Sequence, residues 1–283
     1  MFLVIYMAKT LAIDLDGTLF YPREKVKMIP QENIDFIRDF IDNGNKVVLC
    51  TGRNLPYALM VQEKLERQVD VIGCNSAYIY IDGEVKKMST FEPSIIEEMV
   101  QVFKEKFDIH AWLLMSKDQS LVITGKMGFF KKTFYKVFYA SQGIYAEKYV
   151  ISDKVFEEEL EHGKIFKLMM FFGLGQKNKN RACEANKYLR EHYGDKIEAS
   201  WTDNFIELTP AEVNKSNGLK LYCEMTDTNA DDVYVVGDSG NDISMFQTYK
   251  EHSFCMNHSP EKIKKFAKYH VDMVADIKNY LGE

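Results

Sequence analysis

Two carboxylates, Asp14 and Asp16, are separated by one residue and directly follow a short apolar run. Carboxylates this close can share a cation, or divide the roles of nucleophile and general acid. Gly17 permits a tight turn that would direct both side chains into one crevice. Because Asp and Gly are also common in ordinary turns, this segment alone leaves a purely local role open.

A hydroxyl and a guanidinium follow a second apolar run, in the segment Thr51, Gly52 and Arg53. Together with backbone amides at the start of a predicted helix, these groups could form a site for an anion. An N-cap followed by a loop glycine explains the same residues without a ligand. Lys215, at the predicted start of a later helix, would add a positive charge beside amide donors, although a single lysine is usually solvated.

The segment from Gly237 to Asp242 concentrates two carboxylates, Asp238 and Asp242, and the amide of Asn241 in six residues. Oxygen ligands of this kind suit Mg²⁺, which is usually held by one or two carboxylates together with phosphate and water. A loop rich in Asp and Gly without a ligand is the alternative. It is less attractive here because one short loop holds so many reactive groups.

Short apolar runs and amphipathic stretches alternate around these segments. They predict strands at residues 10–13, 47–50, 69–73 and 233–236, and helices at 31–43, 55–67, 216–224, from 242 onward and at 260–268. This alternation predicts a doubly wound α/β fold whose parallel sheet is covered on both faces. Ligands bind beyond the carboxyl ends of such strands, so the segments described above should meet at one edge of the sheet.

The middle of the chain has a different pattern, with strands predicted at 110–115 and 164–172 and a hairpin turn at Asp82 and Gly83. We therefore predict a core formed by residues 1–82 and 194–283, with an inserted domain at residues 83–193. Residues 129–139 interleave aromatic rings with lysines, which could stack nucleic-acid bases. A helix that turns its rings towards the core is the favoured interpretation.

Composition narrows the possible partners and compartments. The 283 residues are 46% hydrophobic and 28% charged, which is typical of a globular protein, and the net charge of −6 argues against nucleic acid or an anionic membrane as partner. Five widely spaced cysteines indicate free thiols in a reducing compartment. No membrane span or signal peptide is expected, so we predict a cytoplasmic protein that begins at Met1 or Met7.

Taken in order, the four segments resemble the four motifs of the haloacid dehalogenase superfamily. The insertion between Thr51 and Lys215 resembles the type IIB cap of the Cof-type phosphatases, so the resemblance covers nearly the whole chain. It implies a Rossmann-like doubly wound core with an inserted α+β cap that selects the substrate. The implied activity is Mg²⁺-dependent hydrolysis of a phosphomonoester, and the implied partner is a small phosphorylated metabolite.

The resemblance also implies a role for each candidate residue. Asp14 would attack phosphorus and become an aspartyl phosphate, and Asp16 would protonate the leaving alcohol and then activate water. Thr51 and Lys215 would hold the phosphoryl oxygens. The metal ligands would be the carboxylates of Asp14 and Asp238 and the backbone carbonyl of Asp16, with Asp242 holding or orienting metal-bound water. Candidates for contact with the phosphate or the rest of the substrate are Leu15, Gly17, Gly52, Arg53 and Asn241.

Two segments depart from the pattern of the family. Relatives often have Asn-Gly-Ala after the third strand, whereas here Asn75 is followed by Ser76. Residues 256–259 match the family's Met-x-Asn-Ala only in part. Neither change removes an essential carboxylate, and the first concerns the entrance to the site. Candidate substrate contacts in the cap are Trp112, Lys164, Lys167 and Met170.

Two other functions stay open at this stage. A sugar phosphomutase would use the same aspartyl phosphate and return the phosphoryl group to a second hydroxyl. A phospho-ligand-binding protein without catalysis would keep the site but not turn over. All the expected catalytic residues are present, which favours an enzyme. The sequence leaves the oligomeric state and the physiological substrate open.

Overall fold

A computed structural model describes residues 8–23, 28–126, 148–202 and 204–282. The chain forms two compact units, one made of Met1–Lys87 with Asn214–Glu283 and the other of Met88–Val213. The second unit therefore ends after Val213 rather than at the predicted residue 193. The reason is strand pairing, because the strands at Ile197–Thr202 and Phe205–Pro210 belong to the sheet of the second unit.

The first unit is built on an eight-stranded sheet with the strand order β14-β13-β12-β1-β2-β3-β4-β5. All its strands from β14 to β3 pair in parallel, and β4 pairs antiparallel with β3. This arrangement confirms the predicted α/β core. It also contains two strands at one edge, β4 and β5, that were not predicted as part of this sheet. The strands are β1 (Thr10–Ile13), β2 (Lys46–Cys50), β3 (Asp70–Gly73), β4 (Tyr78–Ile81), β5 (Glu84–Met88), β12 (Val233–Gly237), β13 (Ser253–Met256) and β14 (Tyr269–Val271).

Helices cover both faces of this sheet because successive strand residues point to opposite sides. One set of alternate residues, including Ala12, Val48 and Ile72, packs into a buried cluster with residues of three later helices. The first two helices contact β2 and β3. The helices of this unit are α1 (Gln31–Asp42), α2 (Leu55–Leu65), α6 (Lys215–Thr226), α7 (Ile243–Thr248) and α8 (Glu261–Lys264). The predicted helix at 260–268 is thus much shorter than expected.

The second unit has a six-stranded sheet with the order β10-β11-β9-β6-β7-β8, antiparallel except for the β7–β8 pair. Its strands are β6 (Ala111–Ser116), β7 (Val122–Gly125), β8 (Val150–Ile151), β9 (Ile165–Phe171), β10 (Ile197–Thr202) and β11 (Phe205–Pro210). Its described helices are α3 (Pro93–Lys106), α4 (Asp153–His162) and α5 (Gln176–Tyr193). The unit is therefore α+β, as the resemblance implies.

The core of the second unit contains two of the proposed substrate contacts. Trp112 and Met170 are buried in its main hydrophobic cluster, so both side chains support the fold. Lys167 is also buried and forms an ion pair with Glu207 at 2.6 Å. The aromatic and lysine-rich segment 129–139 lies outside the described residues. None of the helices described is long and apolar enough to cross a membrane.

Candidate active site

The segment after β1 folds into a single wide turn, Leu15–Leu19, at the carboxyl end of the strand. The backbone N–H of Asp14 still donates to Val236 of β12 at 3.0 Å, so this residue is fixed to the sheet while its side chain leaves it. Gly17 has φ +83°, and a Cβ built on it would lie 2.3 Å from Oδ2 of Asp238. Glycine is therefore required twice here, for the turn and for the close approach of the neighbouring loop.

Arg53 contacts Asp16. Its Nε donates to Asp16 Oδ2 at 2.7 Å and its Nη2 donates to Oδ1 at 2.9 Å, which makes a two-pronged ion pair. The guanidinium also lies 5.0 Å from the ring centre of Tyr57. The sequence prediction assigned Arg53 to the phosphate, whereas in this structure its planar donors match the carboxylate.

Lys215 is fully buried at the start of α6 and contacts two carboxylates. Its Nζ lies 2.5 Å from Oδ1 of Asp14 and 2.7 Å from Oδ1 of Asp242. Burial alone lowers the pKa of a lysine, but the two carboxylates outweigh burial and raise the pKa of Lys215. The side chain is therefore a fixed positive charge, and the solvated alternative considered for it is wrong.

The loop after β12 is organised by Asp242, which is also fully buried. Its Oδ2 accepts hydrogen bonds from the backbone N–H groups of Asp238 and Ser239, both at 3.0 Å. A Cβ on Gly237 would lie 2.3 Å from Cγ of Asp242, so only glycine leaves room for this carboxylate. Both oxygens of Asp242 thus have partners within the protein.

Asp238 differs from Asp242 in that one of its oxygens has no partner. Oδ1 is buried and accepts no hydrogen bond from any residue of the described chain. Burial, and then the negative charge of Asp242, raise the pKa of Asp238 to about 7. Burial likewise raises the pKa of Asp14, against the opposing effect of Lys215. The site therefore holds more negative charge than its one buried lysine balances.

These features fit a divalent cation. Oxygens of Asp14, Asp238 and Asp242 lie within 4.8 Å of one another, and the unpartnered Oδ1 of Asp238 has free lone pairs in a buried position. A cation there would neutralise the carboxylates and supply the missing partner. Asp14 and Asp238 are the better candidates for direct ligands. Asp242 already uses one oxygen to contact Lys215 and the other to accept hydrogen bonds from its own loop.

The remaining predicted residues gather at the same edge of the sheet. Thr51 is buried, and its Oγ1 accepts from the N–H of Arg53 at 3.0 Å. Asn241 Nδ2 donates to Asn75 Oδ1 at 3.2 Å. The side chain of Leu15 is fully buried, so only its backbone could contact a phosphate. Gly52 lies between Thr51 and Arg53, next to the start of α2.

Sequence reasoning left three neighbours out of the site. Asn75 follows β3, so its position at a strand end was the available signal. His258 lies with Nε2 3.8 Å from Oδ2 of Asp238, and its ring stacks on Tyr21 with centres 3.9 Å apart. Partial burial lowers the pKa of His258. His258 lies in the segment 256–259, whose partial match to the family pattern was the available signal, whereas Tyr21 lies in none of the segments that the sequence singled out.

Comparison with known proteins finds relatives that are named phosphatases. A 5-amino-6-(5-phospho-D-ribitylamino)uracil phosphatase of Bacillus subtilis is 24% identical over 91% of this chain and 90% of its own. A pyridoxal phosphate phosphatase of Escherichia coli is 22% identical over 84% of each chain. The solved structure of a sugar phosphatase of haloacid dehalogenase subclass IIB superposes with a TM-score of 0.75 and 21% identity, covering 97% of this chain and 99% of that one.

The family profile extends over nearly the whole chain. The profile described as haloacid dehalogenase-like hydrolase matches residues 11–278, which include every site residue discussed above. This match spans both compact units. The chain therefore belongs to the haloacid dehalogenase-like hydrolases.

Proposed function

We propose that this hydrolase is a Mg²⁺-dependent phosphatase that acts on phosphomonoesters of small metabolites through an aspartyl phosphate. The observation that carries the proposal is the buried contact of Lys215 with Asp14, beside the unpartnered oxygen of Asp238. A carboxylate cannot approach a phosphate ester unless positive charge offsets the repulsion between the two anions. Relatives named as phosphatases support the same reaction class.

The first half of the proposed reaction uses Asp14 as nucleophile. One of its oxygens forms a bond to phosphorus while the bond from phosphorus to the ester oxygen breaks. Asp16, in its protonated form, gives its proton to the departing alcohol oxygen. Thr51 and Lys215 bind the equatorial oxygens, because phosphoryl transfer depends mainly on positioning and on neutralising charge.

The second half releases phosphate. Asp16, now a carboxylate, takes a proton from a water molecule as the water oxygen attacks the phosphorus of the aspartyl phosphate. The bond between phosphorus and Asp14 breaks, which restores the carboxylate of Asp14. The contact between Arg53 and Asp16 holds the carboxyl group of Asp16 in place at the site. Mg²⁺, held by Asp14 and Asp238 and the backbone carbonyl of Asp16, would neutralise developing negative charge on the phosphoryl oxygens.

The test is phosphate release from a panel of sugar phosphates, nucleotides, pyridoxal phosphate and flavin mononucleotide, with Mg²⁺ and with EDTA. We expect release from several substrates with Mg²⁺ only. Asp14→Asn should abolish turnover while the protein stays folded by circular dichroism, and Asp39→Asn, at an exposed position on α1, is the matched control. Release only in the presence of a bisphosphate would instead indicate a phosphomutase. Tight binding without any turnover would leave a phospho-ligand-binding protein.

A further inference from the structure

The turn after β3 has an unusual backbone. Cys74, Asn75 and Ser76 have φ values of +47°, +59° and +89°, so three successive residues with side chains occupy the left-handed region. Residues with side chains are strained in this region and persist there only where the surroundings impose it. Asparagine tolerates this region better than most residues, whereas serine is less favoured there. The strain needs a structural reason, and the contacts of the turn supply one.

The turn contacts the segments that carry the catalytic candidates. The N–H of Asn75 donates to the carbonyl of Thr51 at 3.0 Å, and the N–H of Cys74 donates to the carbonyl of Arg53 at 3.0 Å. Ser76 packs against Gly218, where an added Cβ would lie 2.2 Å from the Cβ of Ser76. Gly218 lies one turn after Lys215 on α6. The turn is therefore held between the loop after β2 and the helix that carries the buried lysine.

Asn75 extends these contacts to the loop after β12. Asn75 is 6% exposed, and its Oδ1 accepts a hydrogen bond from Nδ2 of Asn241. The other end of that amide, Oδ1 of Asn241, accepts from the hydroxyl of Ser239 at 2.7 Å. The orientation of the Asn241 amide is thus fixed from both ends. Only one N–H of its Nδ2 group is used by Asn75, and an amide nitrogen carries two.

We propose that Asn75 is a positioning residue for phosphate binding: its side chain orients the amide of Asn241, and the left-handed turn holds it against the Thr51 loop. The second N–H of Asn241 is then directed to a phosphoryl oxygen. This inference rests on the proposed function, because it takes phosphate as the ligand of that edge of the sheet. It also gives the backbone strain a role, since a relaxed turn would not place both the N–H and the side chain of Asn75 on their partners.

Two substitutions in the same turn separate the side chain from the backbone. Asn75→Gly removes the side chain and keeps a residue suited to positive φ. Calorimetric titration of the full-length protein with inorganic phosphate in Mg²⁺ should show affinity weakened by about three- to tenfold, the range for one lost hydrogen bond. Ser76→Gly is the control and should bind phosphate within twofold of wild type. Equal weakening by both variants, or none by Asn75→Gly, would overturn the proposal.

A double-mutant cycle tests whether Asn75 acts through Asn241. The variant that combines Asn75→Gly with Asn241→Ala should bind phosphate no more weakly than Asn241→Ala alone. If Asn75 acts only through the amide of Asn241, removing Asn75 has no further effect once that amide is gone. Additive losses would contradict the proposal. In parallel, side-chain amide NMR should show faster exchange of the Asn241 Nδ2 protons in Asn75→Gly than in wild type. Unchanged exchange would overturn the inference even if the wild type binds no phosphate, a result that would refute the proposed function separately.

Discussion

The carboxylate of Asp238 makes the buried cluster of Asp14, Asp238 and Asp242 costly to fold without a cation, and Asp238→Asn measures that cost. Burial and Asp242 raise the pKa of this residue from 3.8 to about 7, so the folded protein binds the proton more tightly than the unfolded chain does. The stabilising effect of the proton is complete below pH 3.8 and is lost as the pH rises through about 7. At 1.36 kcal/mol for each factor of ten in acidity, the full cost of ionisation is about 4 kcal/mol.

Asparagine has nearly the same shape and cannot ionise. In EDTA we therefore expect Asp238→Asn to raise the free energy of unfolding by about 2 kcal/mol at pH 5 and about 4 kcal/mol at pH 8. Adding Mg²⁺ should stabilise the wild type at pH 8 and have little effect on the variant, because a ligand stabilises only the state that binds it. The gain in stability would come with a loss of turnover.

The assay must report on the first unit alone. Both tryptophans, Trp112 and Trp201, lie in the second unit, so fluorescence would follow the wrong part of the chain. Hydrogen exchange of peptides from β1 and β12 during a urea titration follows the sheet that carries the site. Asp231→Asn, at an exposed aspartate of the same unit, should stay within about 0.5 kcal/mol of wild type. A gain that is absent at pH 8, or equal at pH 5 and pH 8, would refute the electrostatic reasoning.

Three further substitutions test other contacts of the site. Lys215→Met should destabilise the protein by about 3–5 kcal/mol in EDTA, measured by urea unfolding, because it leaves two buried carboxylates without their partner. Arg53→Lys should lower kcat at least about tenfold, because the lost hydrogen bonds orient Asp16, while inorganic phosphate should inhibit as it does in wild type. Weaker inhibition by phosphate with a normal kcat would instead indicate that Arg53 binds the phosphate. Gly17→Ala should lower the free energy of unfolding by about 1–2 kcal/mol, measured by thermal unfolding. It should also weaken Mg²⁺ binding, measured by calorimetry, because the Cβ of the alanine would displace Asp238. An unchanged Mg²⁺ affinity would contradict the packing argument.

The core of the first unit was predictable because its strands are short, continuous apolar runs. Residues 10–13 coincide with β1, and the runs at 47–50 and 69–73 differ from β2 and β3 by one residue. The boundary of the second unit was not predictable in this way. Strand β10, Ile197–Thr202, mixes polar and apolar residues at the edge of its sheet, so pairing with β11 defines it more than local pattern does.

The site shows the same division between local and long-range information. The carboxyl ends of parallel strands lie at one edge of the sheet, so the proximity of Asp14 and Asp238 could be predicted from the sequence. The partner of Arg53 could not be read in this way, since a guanidinium fits a carboxylate as well as a phosphate. Its actual partner, Asp16, lies 37 residues away in sequence. The unpartnered oxygen of Asp238 likewise becomes visible only when all its neighbours are placed.

The position of β1 in the sheet has a consequence for synthesis of the chain. It lies between β2 and β12, and Thr10 pairs with Val233, which is made 223 residues later. At a translation rate of 5–20 residues per second, about 10 to 45 s pass between the synthesis of β1 and that of its partner strand β12. The contiguous second unit, Met88–Val213, is synthesised entirely within that interval. The sheet of the first unit therefore cannot be completed until most of the chain has been made, and until then one edge of β1 lacks the partner strand that would protect it from aggregation.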